Sequence, residues 1–174
     1  MTIARRNWAL FGAGVALVVV ADQLSKLWVV QNLPPNQPVD LVAWLSPILS
    51  LTSITNTGIA FGLLPGSGWL FAVLALGVVV IVPFLLRTIP LSDYWVYAAM
   101  GLVEGGAIGN LIDRIVRGHV VDFLDVNFWP LRHWPVFNLA DSAVVVGVAV
   151  LLLDAFLNPV EDKVADVGAP DLAG

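Results

Sequence analysis

Cysteine is absent from this chain. That excludes disulfides, a thiol nucleophile and any Cys-ligated metal. Charge is scarce: 12% of residues are charged, against about a quarter in soluble domains. The eight basic residues form no patch of the kind that binds nucleic acid. There are two histidines, and the HExxH spacing of a helical zinc site is missing. What the chain has in excess is apolar surface, 59% of residues with a mean hydropathy of +0.89. This describes a small polytopic membrane protein, residues 1–174 forming one domain. The formal charge of −5 comes largely from the tail, where Glu161, Asp162, Asp166 and Asp171 face one Lys163. Seven tryptophans suit interfacial belts, where the ring is half in lipid and its N–H finds water.

Four apolar runs are expected to span, over residues 8–30, 69–87, 94–115 and 138–157. The first follows Arg5 and Arg6 and resembles a signal peptide. However, apolar residues resume at Leu27–Val30 and no small-x-small cleavage pattern ends the run. Read as one helix, it is long enough for about 30 Å of hydrocarbon. Asp22 and Lys26 lie four apart near its end and can pair. Between the first two spans, Leu49–Asn56 alternates apolar and hydroxyl residues, a strand pattern. A small extracytoplasmic sheet is expected there, followed by a turn at Asn56-Thr57-Gly58 and the segment Ile59–Leu64. In the third span Gly101, Gly105 and Gly109 recur every four residues, so another helix backbone can approach. Residues 116–136 read as an extramembrane stretch and the tail from Asn158 as disordered. Arg5, Arg6, Arg87 and Lys163 on one side outweigh Arg117 and Arg132 on the other, which favours cytoplasmic termini. The ends of spans one and three and the start of span four then converge at the outer leaflet.

Residues Gly105–Ser142 hold Asp113, Asp122, Asp125 and Asp141, four of the thirteen acidic residues. Asn138 and Asp141 have the form of a capping box, which is one sufficient reason for Asp141. An acid at a helix N-terminus is also held in one pose with its charge stabilised. A second carboxylate close by would share a proton with it. One member takes a proton from water while the other polarises a scissile carbonyl, so peptide hydrolysis needs no metal or cofactor. Asp122, in the apolar stretch Val120–Leu124 after Gly118, is the expected partner. Asp113 adjoins Arg114, whose side chain points elsewhere, and reads as support that bonds to loop backbone, Asn110 or Arg117. Asp125 is expected to be solvated.

Five blocks carry a resemblance: Asp22-Gln-Leu-Ser-Lys26, Asn56-Thr-Gly-Ile-Ala-Phe-Gly62, Gly105-Gly-Ala-Ile-Gly-Asn-Leu-Ile-Asp-Arg114, Gly118-His-Val-Val-Asp-Phe123 and Phe137-Asn-Leu-Ala-Asp-Ser142. In this order they resemble lipoprotein signal peptidase, the signal peptidase II family, from about Asp22 to Gly147. The resemblance implies an all-α polytopic membrane protein. Its four transmembrane helices carry a small extracytoplasmic β-sheet, or cradle, and a short surface helix above the site. It implies a monomeric aspartyl endopeptidase of the bacterial inner membrane, embedded in membrane lipid. The enzyme cuts diacylglyceryl-modified prolipoproteins before the lipidated Cys and is inhibited by globomycin-type cyclic peptides. The catalytic pair then falls on Asp122 and Asp141. Asn56, Asn110, Arg114 and Asn138 line and brace the pocket, with Asp22, Lys26, Asp113 and Ala140 in support. No metal or cofactor is implied. Glu104 departs from expectation, since an ionisable group in mid-span needs a partner.

Other chemistries fit less well. Ser25 and Lys26 are adjacent on a helix and point apart, which disfavours a Ser–Lys protease. A zinc site from His119, Asp122, Asp125 and His133 lacks the helical spacing. A small transporter or channel would spread its acids across membrane depth, whereas these cluster near helix ends.

Overall fold

The computed structural model describes residues 2–58, 68–131 and 134–158. Helix α1 is Ile3–Asn32, strand β1 Pro38–Val39, strand β2 Leu49–Asn56 and helix α2 Gly68–Leu85. A 3-10 turn at Leu86–Thr88 precedes helix α3 (Tyr94–Arg117), strand β3 (Val120–Val126) and helix α4 (Leu139–Leu157). The segment Ile59–Leu64, His133 and the tail beyond Asn158 lie outside the described residues.

Three of the helices, α1, α2 with its 3-10 turn, and α4, are long and apolar enough to cross a membrane. Helix α3, with 24 residues, is the fourth member of the bundle and carries Glu104, Asp113, Arg114 and Arg117. It packs on all three others, so its charges face protein rather than lipid. Lipid tails are as apolar as leucine, so such helices associate through close van der Waals fit and polar contacts. The glycine series performs that role. A Cβ at Gly105 would stand 2.7 Å from Val18, and one at Gly109 would stand 2.7 Å from the Asp22 carboxylate. Gly106 faces the start of α4 in the same way, against Ala140.

Two apolar clusters pin the ends. At one end Val82, Leu86 and Tyr97 join α2 to α3, and the Tyr97 hydroxyl donates to the Leu86 and Ile89 carbonyls. At the other end Val29 of α1 packs with Leu51, Val121 and Phe123 of the sheet, against Leu139 of α4. The sheet is antiparallel in the order β1-β2-β3. Helix α3 ends at Gly118, whose φ of +77° is the left-handed conformation that glycine adopts without strain. That turn sends the chain directly into β3. The stretch read from sequence only as extramembrane is partly a strand: Asp122 pairs with Ile54 and Val120 with Asn56. Residues of β3 are buried at Val120–Phe123, so the run lacks the polar–apolar alternation by which β2 is recognised.

Candidate active site

The site forms where the ends of α1 and α3, the start of α4 and the sheet meet. Asn138 is the N-cap of α4 with both halves of a capping box present. Its Oδ1 accepts from the Asp141 N–H at 2.9 Å, and its own N–H faces Asp141 Oδ2 at 3.3 Å. The same side chain donates from Nδ2 to Asp122 Oδ1 at 2.7 Å. One asparagine thus ties the acid on β3 to the acid on α4. The capping box and the site are the same structure. Asn56 Nδ2 donates to Asp122 Oδ2 at 2.8 Å, and Asn110 Nδ2 donates to Asp141 Oδ1 at 2.7 Å. Asn56 Oδ1 also accepts from the Gly58 N–H, forming the turn after β2.

Asp122 is 2% exposed, whereas Asp141 is half-buried. Burial pushes the Asp122 carboxyl up to about 6, and the negative charge of Asp141 pushes the same way. Donation from Asn56 and Asn138 and the charge of Lys26 oppose this without cancelling it. A carboxyl so placed can hold a proton near neutral pH while a neighbour stays ionised.

Behind the pair lies a buried ionic lattice. Asp22 and Lys26, both fully buried, pair at 2.8 Å. Lys26 also reaches Asp113 at 3.0 Å. Asp113 takes the Arg117 guanidinium as well, and its Oδ2 accepts from the Val121 N–H. It therefore holds β3 one residue before Asp122. Asp22 Oδ1 accepts from the Ala140 N–H at 3.0 Å, so the first acid of the chain holds the start of α4. Ala140 is fully buried, and only a small residue fits against Gly106 and Gly109 there. Arg114 donates to the Asn110 carbonyl and lies over the Phe71 ring.

Several expectations change here. Asp125 is half-buried and accepts from Thr52 Oγ1 at 2.8 Å, so it is not simply solvated. It belongs to the frame of the sheet. Asp113 does bond to loop-side backbone and to Arg117, but its shared lysine was not anticipated. Ser25 Oγ donates to the Asp22 carbonyl, whereas Lys26 turns to its acids. Glu104 is 4% exposed, and its Oε2 has no hydrogen-bond partner among the described residues. Gln23 was missed: it bridges the Asp22 and Asp113 carboxylates and accepts from Arg117. Its position beside Asp22 was the one available signal.

Asp122 and Asp141 both line a cavity of ≈ 650 Å³. Its walls are mainly apolar, including Phe71, Leu131, Trp134, Phe137 and Val145, with Asn56, Arg114 and Ser142 as polar points. Apolar pockets with a few placed polar groups are the usual form of a site for small ligands and peptides. The fold and the site together describe a helix bundle of membrane-protein character, with two carboxyls tied by one asparagine on the wall of a cavity at its end.

The family model for signal peptidase (SPase) II matches residues 14–157. The lipoprotein signal peptidase of Shewanella halifaxensis is 44% identical over 156 residues, 87% of this chain and 89% of that one. That of Aeromonas hydrophila is 43% identical over 144 residues, 80% of this chain and 84% of its own. A bacterial membrane enzyme solved by the in meso method at 2.3 Å superposes with a TM-score of 0.71. It is 26% identical and covers 93% of each chain. A second, at 1.9 Å, gives the same TM-score at 28% identity, over 84% of this chain and 92% of that one. The chain belongs to the signal peptidase II family, whose members are aspartic peptidases.

Proposed function

We propose that Asp122 and Asp141 are the aspartyl pair with which this protein hydrolyses a peptide bond immediately before a diacylglyceryl-modified Cys. Its family membership makes the chain an aspartic peptidase that removes signal peptides from prolipoproteins. The observation that supports this choice of pair is Asn138, which bonds both carboxyls on the wall of one cavity.

A water molecule between the carboxyls gives its proton to the ionised member, and its oxygen adds to the scissile carbonyl carbon. The protonated member donates to the carbonyl oxygen as that oxygen gains charge. Collapse breaks the C–N bond: the leaving amine takes a proton from one member, and a hydroxyl of the tetrahedral intermediate returns its proton to the other as the product C=O re-forms. The pair returns to its starting state with one proton shared. Asn56, Asn110 and Asn138 hold the carboxyls in place. Arg114 faces the cavity as a cation for substrate carbonyls, and the apolar wall takes the peptide and its acyl chains. Asp22, Lys26, Asp113 and Ala140 keep the frame.

In this reading the protein is a multi-pass component of the bacterial inner membrane, with both termini cytoplasmic and the pair near the outer leaflet. It acts as a monomer surrounded by lipid, and a globomycin-type cyclic peptide occupies the cavity. The test is incubation of the purified protein with a diacylglyceryl-modified precursor, with and without globomycin. The expected result is a product that begins at the lipidated Cys, and its loss with inhibitor. A transporter would give neither cleavage nor inhibition.

A further inference from the structure

Lys26 is completely buried. Its ammonium reaches Asp22 at 2.8 Å, Asp113 at 3.0 Å and Asn110 Oδ1 at 3.0 Å. An ammonium has three N–H donors and no acceptor, so these contacts use all of them. The contact with Asn110 then has only one possible polarity. The amide oxygen faces Lys26, and the amide NH2 faces Asp141. Asn138 Nδ2 donates to that same oxygen at 3.2 Å and to Asp122 at 2.7 Å. Lys26 thus fixes the polarity of Asn110, as the Asp141 N–H fixes that of Asn138, and both asparagines present N–H groups to the carboxyls.

The two carboxyls do not sit alike. Asp141 lies in the first turn of α4, where a negative charge is favoured. Asp122 lies on a strand, meets the start of α4 through the Asn138 side chain, and is almost fully buried. We propose that Lys26 is a positioning residue which, through the Asn110 amide, keeps the pair's negative charge on Asp141 and its shared proton on Asp122. This rests on the pair named under the proposed function and assigns its members. Asp141 takes the proton from water, and Asp122 donates to the carbonyl. Without the lysine, only the longer contact from Asn138 Nδ2, which also serves Asp122, still faces that oxygen, so the Asn110 amide is held less firmly against turning over. Its oxygen would then face Asp141 and disfavour an anion there.

The charged groups around the pair come from two elements. Helix α1 supplies Asp22 and Lys26; helix α3 supplies Asp113, Arg114 and Arg117. Strand β2 supplies the neutral Asn56. Asp22 and Asp113 offset Lys26 and Arg117, which leaves Arg114 as the cation on the cavity wall.

Removing Lys26 alone takes from buried Asp22 its cation, while Asp113 keeps Arg117, so the test removes charge in balance. The double variant Asp22→Asn/Lys26→Met is compared with Asp22→Asn as reference, on a diacylglyceryl-modified precursor from pH 4 to pH 9. The expected result is a fall in kcat of about 10²-fold with KM nearly unchanged, and an acid limb displaced by about one pH unit. An identical pH profile, with activity lost only in proportion to folded protein, overturns the proposal. Infrared spectroscopy of the protein without a Lys26 change decides the matter if the double variant does not fold. At about pH 6 the protonated-carboxyl absorption should fall by one group in Asp122→Asn and keep that group in Asp141→Asn; the reverse pattern overturns the proposal. If the unaltered protein leaves the precursor intact, the proposed function fails, while the infrared bands still report where the proton sits.

Discussion

Asp122→Asn is expected to change the pH dependence of stability in a defined direction. Burial, aided by Asp141, pushes this carboxyl up to about 6 from its ordinary 3.8. The folded state therefore holds the proton more tightly than the unfolded chain does. Stability attributable to this group is fully present below the unfolded value and is lost as pH rises through about 6. At about 1.4 kcal/mol per pH unit, the loss is on the order of 3 kcal/mol. Asparagine carries no charge and escapes that penalty. It also offers a single acceptor oxygen where Asn56 and Asn138 both donate, so one amide is left unpaired, at a cost of about 1–3 kcal/mol. The variant should thus be the less stable protein at pH 4 and should recover relative to its parent by about 3 kcal/mol by pH 7. Unfolding of both proteins in the same detergent, followed from pH 4 to pH 8, reads this difference. A stability gap that stays constant over the range would refute the claim that the Asp122 carboxyl is perturbed in the folded protein.

Asn138 separates capping from chemistry. Asn138→Ser keeps a good N-cap but loses the N–H donor to Asp122, so activity should fall about 10²-fold. Asn138→Ala should also lose about 1 kcal/mol from the cap, read as a lower melting temperature than that of Asn138→Ser. Asp113→Ala removes the shared partner of Lys26 and Arg117 and should destabilise by about 3–5 kcal/mol. Denaturant titration measures that loss, and the folded fraction should retain most of its kcat. Glu104→Leu replaces an unpaired buried carboxyl oxygen and should raise the melting temperature without altering cleavage; a fall would mean that Glu104 has a partner in the folded membrane protein.

Local pattern made much of this protein readable. The apolar runs announce the helices, alternation announces β2, and Asn138 with Asp141 announces the start of α4 together with one member of the pair. The glycine spacing announces the face on which α1 and α3 meet, and the packing of Gly105 and Gly109 against α1 agrees. Strand β3 was hidden because both of its faces are buried at Val120–Phe123, leaving no period to detect. That concealed the geometry of Asp122, which is set by register with β2 rather than by a flexible loop. Asp125 was misplaced for the same reason, since its partner Thr52 lies across the sheet. The ionic lattice was only half visible. Asp22 and Lys26 are four apart on one helix, but the contacts of Lys26 with Asp113 and Asn110 join segments distant in sequence. No local signal reports such pairings, and they become evident only once α1 lies against α3.

The most direct measurement is single-turnover cleavage of a diacylglyceryl-modified precursor by the purified protein, Asp122→Asn and Asp141→Asn, with the product N-terminus read by mass spectrometry. The unaltered protein should release a fragment that begins at the lipidated Cys, and neither folded variant should release any. Cleavage at the parental rate by either variant would contradict the assignment of the pair.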